Sequence, residues 1–593
     1  MNQTTKAGAL TLALSLMMAF AQAADSPLDL DGRRKALDTL LKQQWEYTMR
    51  KSPEYASILG DKRYNDQLGD LSPKAMEDDV KQSAAFLKQF EAIDTNGFPL
   101  QEQLNKDLMV RSLRLEVEGA RFKEWQMPVL QNSGIHIDAP QLVSMLSFTS
   151  VKDYEDYISR LKKLPLAFTQ TQQLMQNGMR DRMMPPKFLI PKIAEQSRTL
   201  GSQKAEDSPF SQPLKQFPKD FSEADKKRLS AAVLGAVRND VLPAYRKFAD
   251  FVKVKYAPHG RTEPGLWSLP DGGARYAFRA KASTTTEQTP DEIHQLGLSE
   301  VARIEGEMLK VAQRLGHKDL KSLNAAMAKN PDLHPKSRQE IIDLYQKYTD
   351  QMYPKLPQLF GILPKAKVEI LQIEQFREKG ASGAQYNPAA ADGSRPGRVM
   401  VNTGDFAKRS TSTIETTALH EGVPGHHMQI AIAQEIEGLP MFRQQGNYTS
   451  YAEGWALYSE RLGSELGFFS DPYSYYGHLQ DEMLRAIRLV VDTGLHHKKW
   501  SRKQVVDYFH AHSGTGDVEV QSETDRYIVW PGQALGYKIG QLKILALRDY
   551  AKAELGAKFD IRGFHDTILG AGPLPMDVLE NQVKAWVETK KKG

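Results

Sequence analysis

Cysteine is missing from all 593 residues. This excludes disulfides and leaves no residue for the lipid anchor of a bacterial lipoprotein signal. An excess of charge of one sign is missing too. With 78 Lys and Arg against 73 Asp and Glu, the net charge is only +5, and no Lys/Arg block is long enough to follow a phosphate backbone, so nucleic acid is not an expected partner. Low-complexity tracts and internal repeats are absent, which argues against a disordered or solenoid chain. The only long apolar run is at the start, where Lys6 precedes Ala7–Ala21 and the run closes on Ala21-Gln22-Ala23. A run shorter than the ~20 residues of a bilayer span, ending in a small-x-small step, predicts a cleaved signal peptide over residues 1–23. The expected product is periplasmic or secreted, without a membrane anchor; nothing in the sequence indicates its oligomeric state.

What is present is helical period. Tyr154, Tyr157, Ile158 and Leu161 recur at i, i+3, i+4, i+7 with charged residues opposite, and similar patterns continue to the C-terminus. Thr289, Pro290 and Glu292 form a capping box with proline at the first helical position. Only Ala366–Ile370 and Arg398–Asn402 read as strands. The expected fold is therefore mainly α, a large helical body with a small β-ribbon. The Pro- and Ser-rich stretch 201–221 is the one long loop that could divide it into an N-terminal helical region, 24–210, and a second region, 211–593; one continuous body is equally compatible.

The chemistry concentrates in STIETTALHEGVPGHHMQ, Ser412–Gln429, where Ser412 and Glu415 have capping-box spacing and His420, Glu421, His426 and His427 follow. In the zinc-peptidase pattern His-Glu-x-x-His, residues i and i+4 share one helix face and the intervening Glu faces the metal's water. Here His420 and His426 are at i and i+6, about 240° apart on a regular helix, and His427 at i+7 lies about 10 Å further along the axis. The helix must therefore break across Gly422, Val423, Pro424 and Gly425, residue types that permit it. With two residues looped out, His426 returns to the i+4 direction and is preferred to His427. A His-Glu-x4-His string is expected only about 0.02 times by chance in such a chain. A third ligand is available in YAEGWALYSE, where Glu453 and Glu460 sit among Trp455, Leu457 and Tyr458, and a carboxylate in such apolar company needs a partner.

HEGVPGHH followed by YAEGWALYSE resembles the bacterial domain-of-unknown-function 885 family. The resemblance runs from about residue 30 to 590 and includes PDGGARYAFR (271–280), TPDEIHQLGLSEVARIEGEM (289–308), DGSRPGRVMVNTGD (392–405), RLVVDTGLH (488–496) and RYIVWPGQALGYKIG (526–540). It implies a largely helical zinc metallopeptidase related to the gluzincins, with Zn2+ on His420, His426 and Glu453 and with Glu421 as the base. Family members often carry a Tyr-Tyr pair where this chain has Arg275-Tyr276.

Further roles follow by chemistry. Strand Arg398–Asn402, with Asn402 at its end, is the expected edge for an extended peptide. Asp492 and His496 at i, i+4 form a candidate carboxylate–imidazole pair. Tyr537 is the expected donor to the developing oxyanion, as in related helical peptidases. Arg526, Tyr527 and Lys538 complete the late group, with Arg526 or Lys538 able to hold a peptide carboxylate. The expected activity is hydrolysis of short peptides by a metal-activated water. A non-catalytic peptide-binding or scaffold protein, or a zinc amidase acting on murein, are the alternatives.

Overall fold

The structure is a computed structural model that describes residues 29–373, 378, 381–389 and 395–592; the signal peptide expected over 1–23 lies outside the described residues. It is mainly α-helical, with one three-stranded sheet. The residues form two compact units. The smaller comprises the described residues up to Tyr47 together with Val80–Val117. Its helices bury Leu37, Leu40, Phe86, Phe90 and Leu108, and Arg34 pairs with Glu102 at 2.5 Å.

The larger unit, Thr48–Asp79 with Glu118 onward, contains every candidate residue. The stripe Tyr154, Tyr157, Ile158 and Leu161 is buried in helix Val151–Asp181, and the Thr289–Glu292 capping box is formed at the head of Pro290–Arg314. The stretch 201–221 does not separate two bodies. Ala205, Phe210 and Phe221 enter one core with Phe168 and Tyr245, and the Tyr157 hydroxyl donates to the Phe210 carbonyl at 2.7 Å. Its aromatic residues make it part of the interior, so no boundary lies near 210.

Seven helices and the sheet position the site. They are α1 (Arg338–Met352), α2 (Ile414–Glu421), α3 (His426–Glu435), α4 (Thr449–Glu465), α5 (Pro472–His496), α6 (Asp517–Val529) and α7 (Leu535–Leu555). α4 is buried almost all round, through Tyr451, Trp455, Tyr458 and Leu462, as a central helix must be. It crosses α7 at Gly454 and Gly540. A Cβ on Gly540 would stand 1.9 Å from the Ser450 carbonyl oxygen, so the two backbones approach as only glycine allows.

The sheet is not a two-stranded ribbon. Its strands β1 (Val368–Gln372), β2 (Ala384–Asn387) and β3 (Gly397–Val401) lie in the order β1-β3-β2, with β3 parallel to β1 and antiparallel to β2. The strand expected to offer a free edge is therefore the central one. The edge that faces α2 belongs to β2.

Candidate functional site

α2 ends at Glu421 and α3 begins at His426; Gly422–Gly425 leave α geometry between them. A Cβ on Gly425 would lie 1.9 Å from the His420 carbonyl oxygen, so glycine lets the chain fold back over the end of α2. Backbone groups in the break remain satisfied, with Gly425 N–H donating to Leu419 and His427 N–H to Gly422. Buried Trp455 donates its indole N–H to the Pro424 carbonyl at 2.8 Å, which ties the break to the helix that carries Glu453.

The break places the His420 and His426 rings 4.8 Å apart, centroid to centroid. Glu453 Oε2 is 3.6 Å from His420 Nε2 and 3.3 Å from His426 Nε2, and one donor atom from each residue lies within 4.8 Å of the others. Donors 2.0–2.1 Å from a tetrahedral zinc stand about 3.4 Å apart, and both Glu453 distances match that spacing. Behind them, His420 Nδ1 donates to Glu460 Oε1 at 2.7 Å, leaving Nε2 directed at the centre. Glu460 is 1 % exposed, and its other oxygen accepts from the Thr416 hydroxyl at 3.0 Å. Burial alone would lower the His420 pKa, but Glu453 and Glu460 outweigh it and raise it to about 10. Burial opposes charge on Glu453 as well, yet His426 and His420 hold its carboxyl well below the usual range. The pocket's field favours a cation.

His427 turns away from this centre. Its Nε2 donates to the Ala366 carbonyl at 3.0 Å, so its Nδ1 accepts from the Tyr386 hydroxyl, also at 3.0 Å. Glu421 Oε2 accepts the Tyr386 amide from the outward edge of β2 at 2.8 Å. One oxygen of Glu421 is thus pinned to the sheet beside the histidine pair.

The α4–α7 crossing brings Tyr537 to the same place. Its pKa is raised by burial and then by the Glu453 charge, so the phenol stays protonated. Arg488 of α5 lies 4.6 Å from the centre of the Tyr537 ring, and Arg526 Nη2 is 3.5 Å from the Tyr537 hydroxyl. These contacts fix a neutral O–H donor whose ionisation is opposed by the Glu453 charge.

Four other candidates have different employment. Asn402 is 1 % exposed; its amide donates to the Glu378 and Ala381 carbonyls and accepts Gly404 N–H, so it shapes the turn after β3 and offers nothing to a substrate. His496 accepts Leu266 N–H on Nδ1 at 3.0 Å and donates from Nε2 to the Tyr527 carbonyl at 2.9 Å. It bridges two backbone segments, and burial lowers its pKa to about 3. Asp492 does not orient it, because that carboxylate accepts from the Tyr276 hydroxyl and Gly532 N–H. Tyr527 is buried, donating to Glu523 and accepting from Arg488 Nε at 3.0 Å. Lys538 is fully buried, 2.6 Å from Glu482 and 3.0 Å from Glu300, inside a charge network of the core.

The Ser412–Glu415 capping box is likewise not formed. Thr413 precedes α2 without capping it, and Glu415 accepts Ser474 Oγ and Phe469 N–H. Arg275 and Tyr276, at the family's Tyr-Tyr position, are both buried, with Arg275 donating to the Phe122 carbonyl. Sequence reasoning gave Glu460 no role and missed Arg488. The signal for Arg488 was a guanidinium opening the apolar run RLVV.

The comparisons agree with this architecture. A crystal structure described as "the putative lipoprotein from Colwellia psychrerythraea" is 30 % identical, with a TM-score of 0.90, and the match covers 94 % of this chain and 100 % of that one. Another solved structure, described as "a putative lipoprotein of unknown function from Shewanella oneidensis", shares the fold at 15 % identity and a TM-score of 0.71, covering 94 % of this chain and 99 % of that one. None of the curated proteins matches. Among the described residues no helix is long and apolar enough to cross a membrane. The family model described as "Bacterial protein of unknown function (DUF885)" matches residues 53–583, and the chain belongs to that family.

Proposed function

We propose that the protein is an exported zinc-dependent peptidase that hydrolyses peptide bonds, with His420, His426 and Glu453 as the metal ligands. The observation that carries this reading is the Glu453 carboxylate oxygen 3.6 and 3.3 Å from two imidazole nitrogens, with the Glu421 carboxylate beside them. A pure binding protein needs no acid at Glu421. A zinc ion held there would polarise a carbonyl and acidify water near neutral pH.

The chain's own residues supply the rest. The Tyr386 amide holds Glu421 Oε2, so Oε1 is the atom that takes a proton from the attacking water and returns it to the departing amine. Tyr537, kept neutral by burial and Glu453, donates its O–H to the carbonyl oxygen as negative charge develops there. Glu460 holds His420 in one orientation and one tautomer. The signal-peptide pattern and the lipoprotein descriptions of both structural relatives support a place outside the cytoplasm.

The test is metal analysis of the purified chain together with digestion of a peptide library. The parent should hold one zinc and cut peptides. His420→Ala and Glu453→Ala should lose the metal, whereas Glu421→Gln should keep it and lose most of the hydrolysis. A Glu421→Gln protein that cuts as fast as the parent would refute the assignment.

A further inference from the structure

Arg526, on α6, carries a positive charge that its surroundings do not match. Its nearest acid is Glu523, with Oε1 3.3 Å from Nη1. The other oxygen of Glu523 is already held by Arg488 Nη2 at 2.9 Å and by the Tyr527 hydroxyl. Two guanidinium groups thus share one carboxylate. The other contacts of Arg526 are neutral. Nη2 donates to Gln533 Oε1 at 3.1 Å and lies 3.5 Å from the Tyr537 hydroxyl, and the guanidinium carbon is 5.8 Å from the centre of the Trp530 ring. Buried Nε has no partner among the described residues. The side chain nevertheless keeps a quarter of its exposure. The rival cation, Lys538, is enclosed between Glu482 and Glu300 with no exposure.

We propose that Arg526 receives a substrate carboxylate next to the bond being cut. This deepens the peptidase reading and rests on it, because the position of the cut bond is taken from Tyr537. A carboxylate on a guanidinium fork lies ~2.8 Å from its nitrogens, and one residue of extended chain spans ~3.3–3.6 Å. With Nη2 only 3.5 Å from the Tyr537 hydroxyl, the group on Arg526 and the carbonyl on Tyr537 belong to the same or adjoining residues. The carboxylate has two chemical sources: the C-terminal group of a short peptide, or the side chain of an acidic residue beside the cut. An Arg fork serves either, and Trp530 offers an apolar wall to the residue that carries it.

The experiment uses the full chain supplied with zinc and one cleavable short peptide in three forms: free acid, C-terminal amide, and free acid with any acidic side chain replaced by its amide. For the parent, kcat/KM on one acid form should exceed that on its neutral partner about tenfold or more, and the ratio should collapse toward one in Arg526→Gln. Loss of rate on C-terminal amidation identifies the terminal carboxylate as the ligand; loss on side-chain amidation identifies the acidic residue. A parent that cuts all three forms equally overturns the inference and leaves the peptidase reading intact. Calorimetric binding of the same peptides to Glu421→Gln, with and without Arg526→Gln, separates the two claims in the other direction. If nothing is cut but the acid form binds about tenfold tighter only when Arg526 is present, carboxylate recognition stands and the peptidase reading falls.

Discussion

Replacing Glu460 isolates the contribution of the group behind His420. Its Oε1 accepts His420 Nδ1–H at 2.7 Å and its Oε2 accepts the Thr416 hydroxyl, all buried. In Glu460→Gln the amide oxygen can still accept from His420, and the Thr416 hydroxyl can turn to accept from the new NH2 group. Geometry and tautomer survive, and the charge is lost. A hydrogen bond to a charged group is worth about 1.5–3 kcal/mol against about 0.5–1.5 for a neutral one, so the difference is about 1.4 kcal/mol, or tenfold in zinc affinity. Glu460→Ala removes the acceptor as well and leaves a buried N–H unsatisfied, which should carry the loss toward a hundredfold, the upper end for such partners. Zinc competition against a chromophoric chelator reads both values, with His420→Ala as the variant that loses the site. If Glu460→Gln and Glu460→Ala bind zinc within twofold of the parent while His420→Ala does not bind, the carboxylate does not tune the metal and the reasoning fails.

Two further outcomes follow from features away from the ligands. Gly540→Ala places a Cβ 1.9 Å from the Ser450 carbonyl and forces α7 off α4. On the zinc-loaded fraction of this variant kcat should fall by up to about a hundredfold as Tyr537 moves with α7; normal turnover would show that Tyr537 takes no part. Asp492 is fully buried, and burial raises its pKa to about 7 from an unfolded value near 3.9. The folded state thus holds this proton more tightly, so stability is greatest below about pH 4 and is lost as pH rises through 7, by about 4 kcal/mol in all. Asp492→Asn, which can still accept from Tyr276 and Gly532, should flatten the fall in melting temperature between pH 5 and 8, and an unchanged slope would contradict this account.

The centre was legible in the sequence because its signals are local. The i, i+6 spacing of His420 and His426 demanded a break, Gly422–Gly425 could supply one, and Glu453 stood in an apolar helix. The same residues appear together in three dimensions, with His427 committed to Tyr386 and Ala366. What misled was polarity without a visible destination. His496 was read from its spacing to Asp492, Asn402 from its place on the expected edge strand and Lys538 from its charge, yet each satisfies backbone carbonyls, backbone amides or buried charges far away in sequence. Ser412 and Glu415 had the right spacing for a cap, but Glu415 is drawn to Ser474 and Phe469 on a segment the local pattern cannot see. The edge expected at Arg398–Asn402 failed for a similar reason: β3 lies between β1 and β2, which pairing over distance decides and alternation does not.

The latch from Trp455 to Pro424 and the glycine crossing of α4 with α7 also bear on when the centre can exist. A chain threaded through an export channel from its N-terminus delivers the two histidines first, with the turn between them still unlatched. Glu453 and Glu460 arrive later, and α7, which seats their helix, later still. In the proposed exported enzyme no assembled set of donors would then be available to cytosolic metal during passage. On that proposal the ion would be acquired where folding finishes, and the metal supply of that compartment, rather than that of the cytosol, would determine what the protein carries.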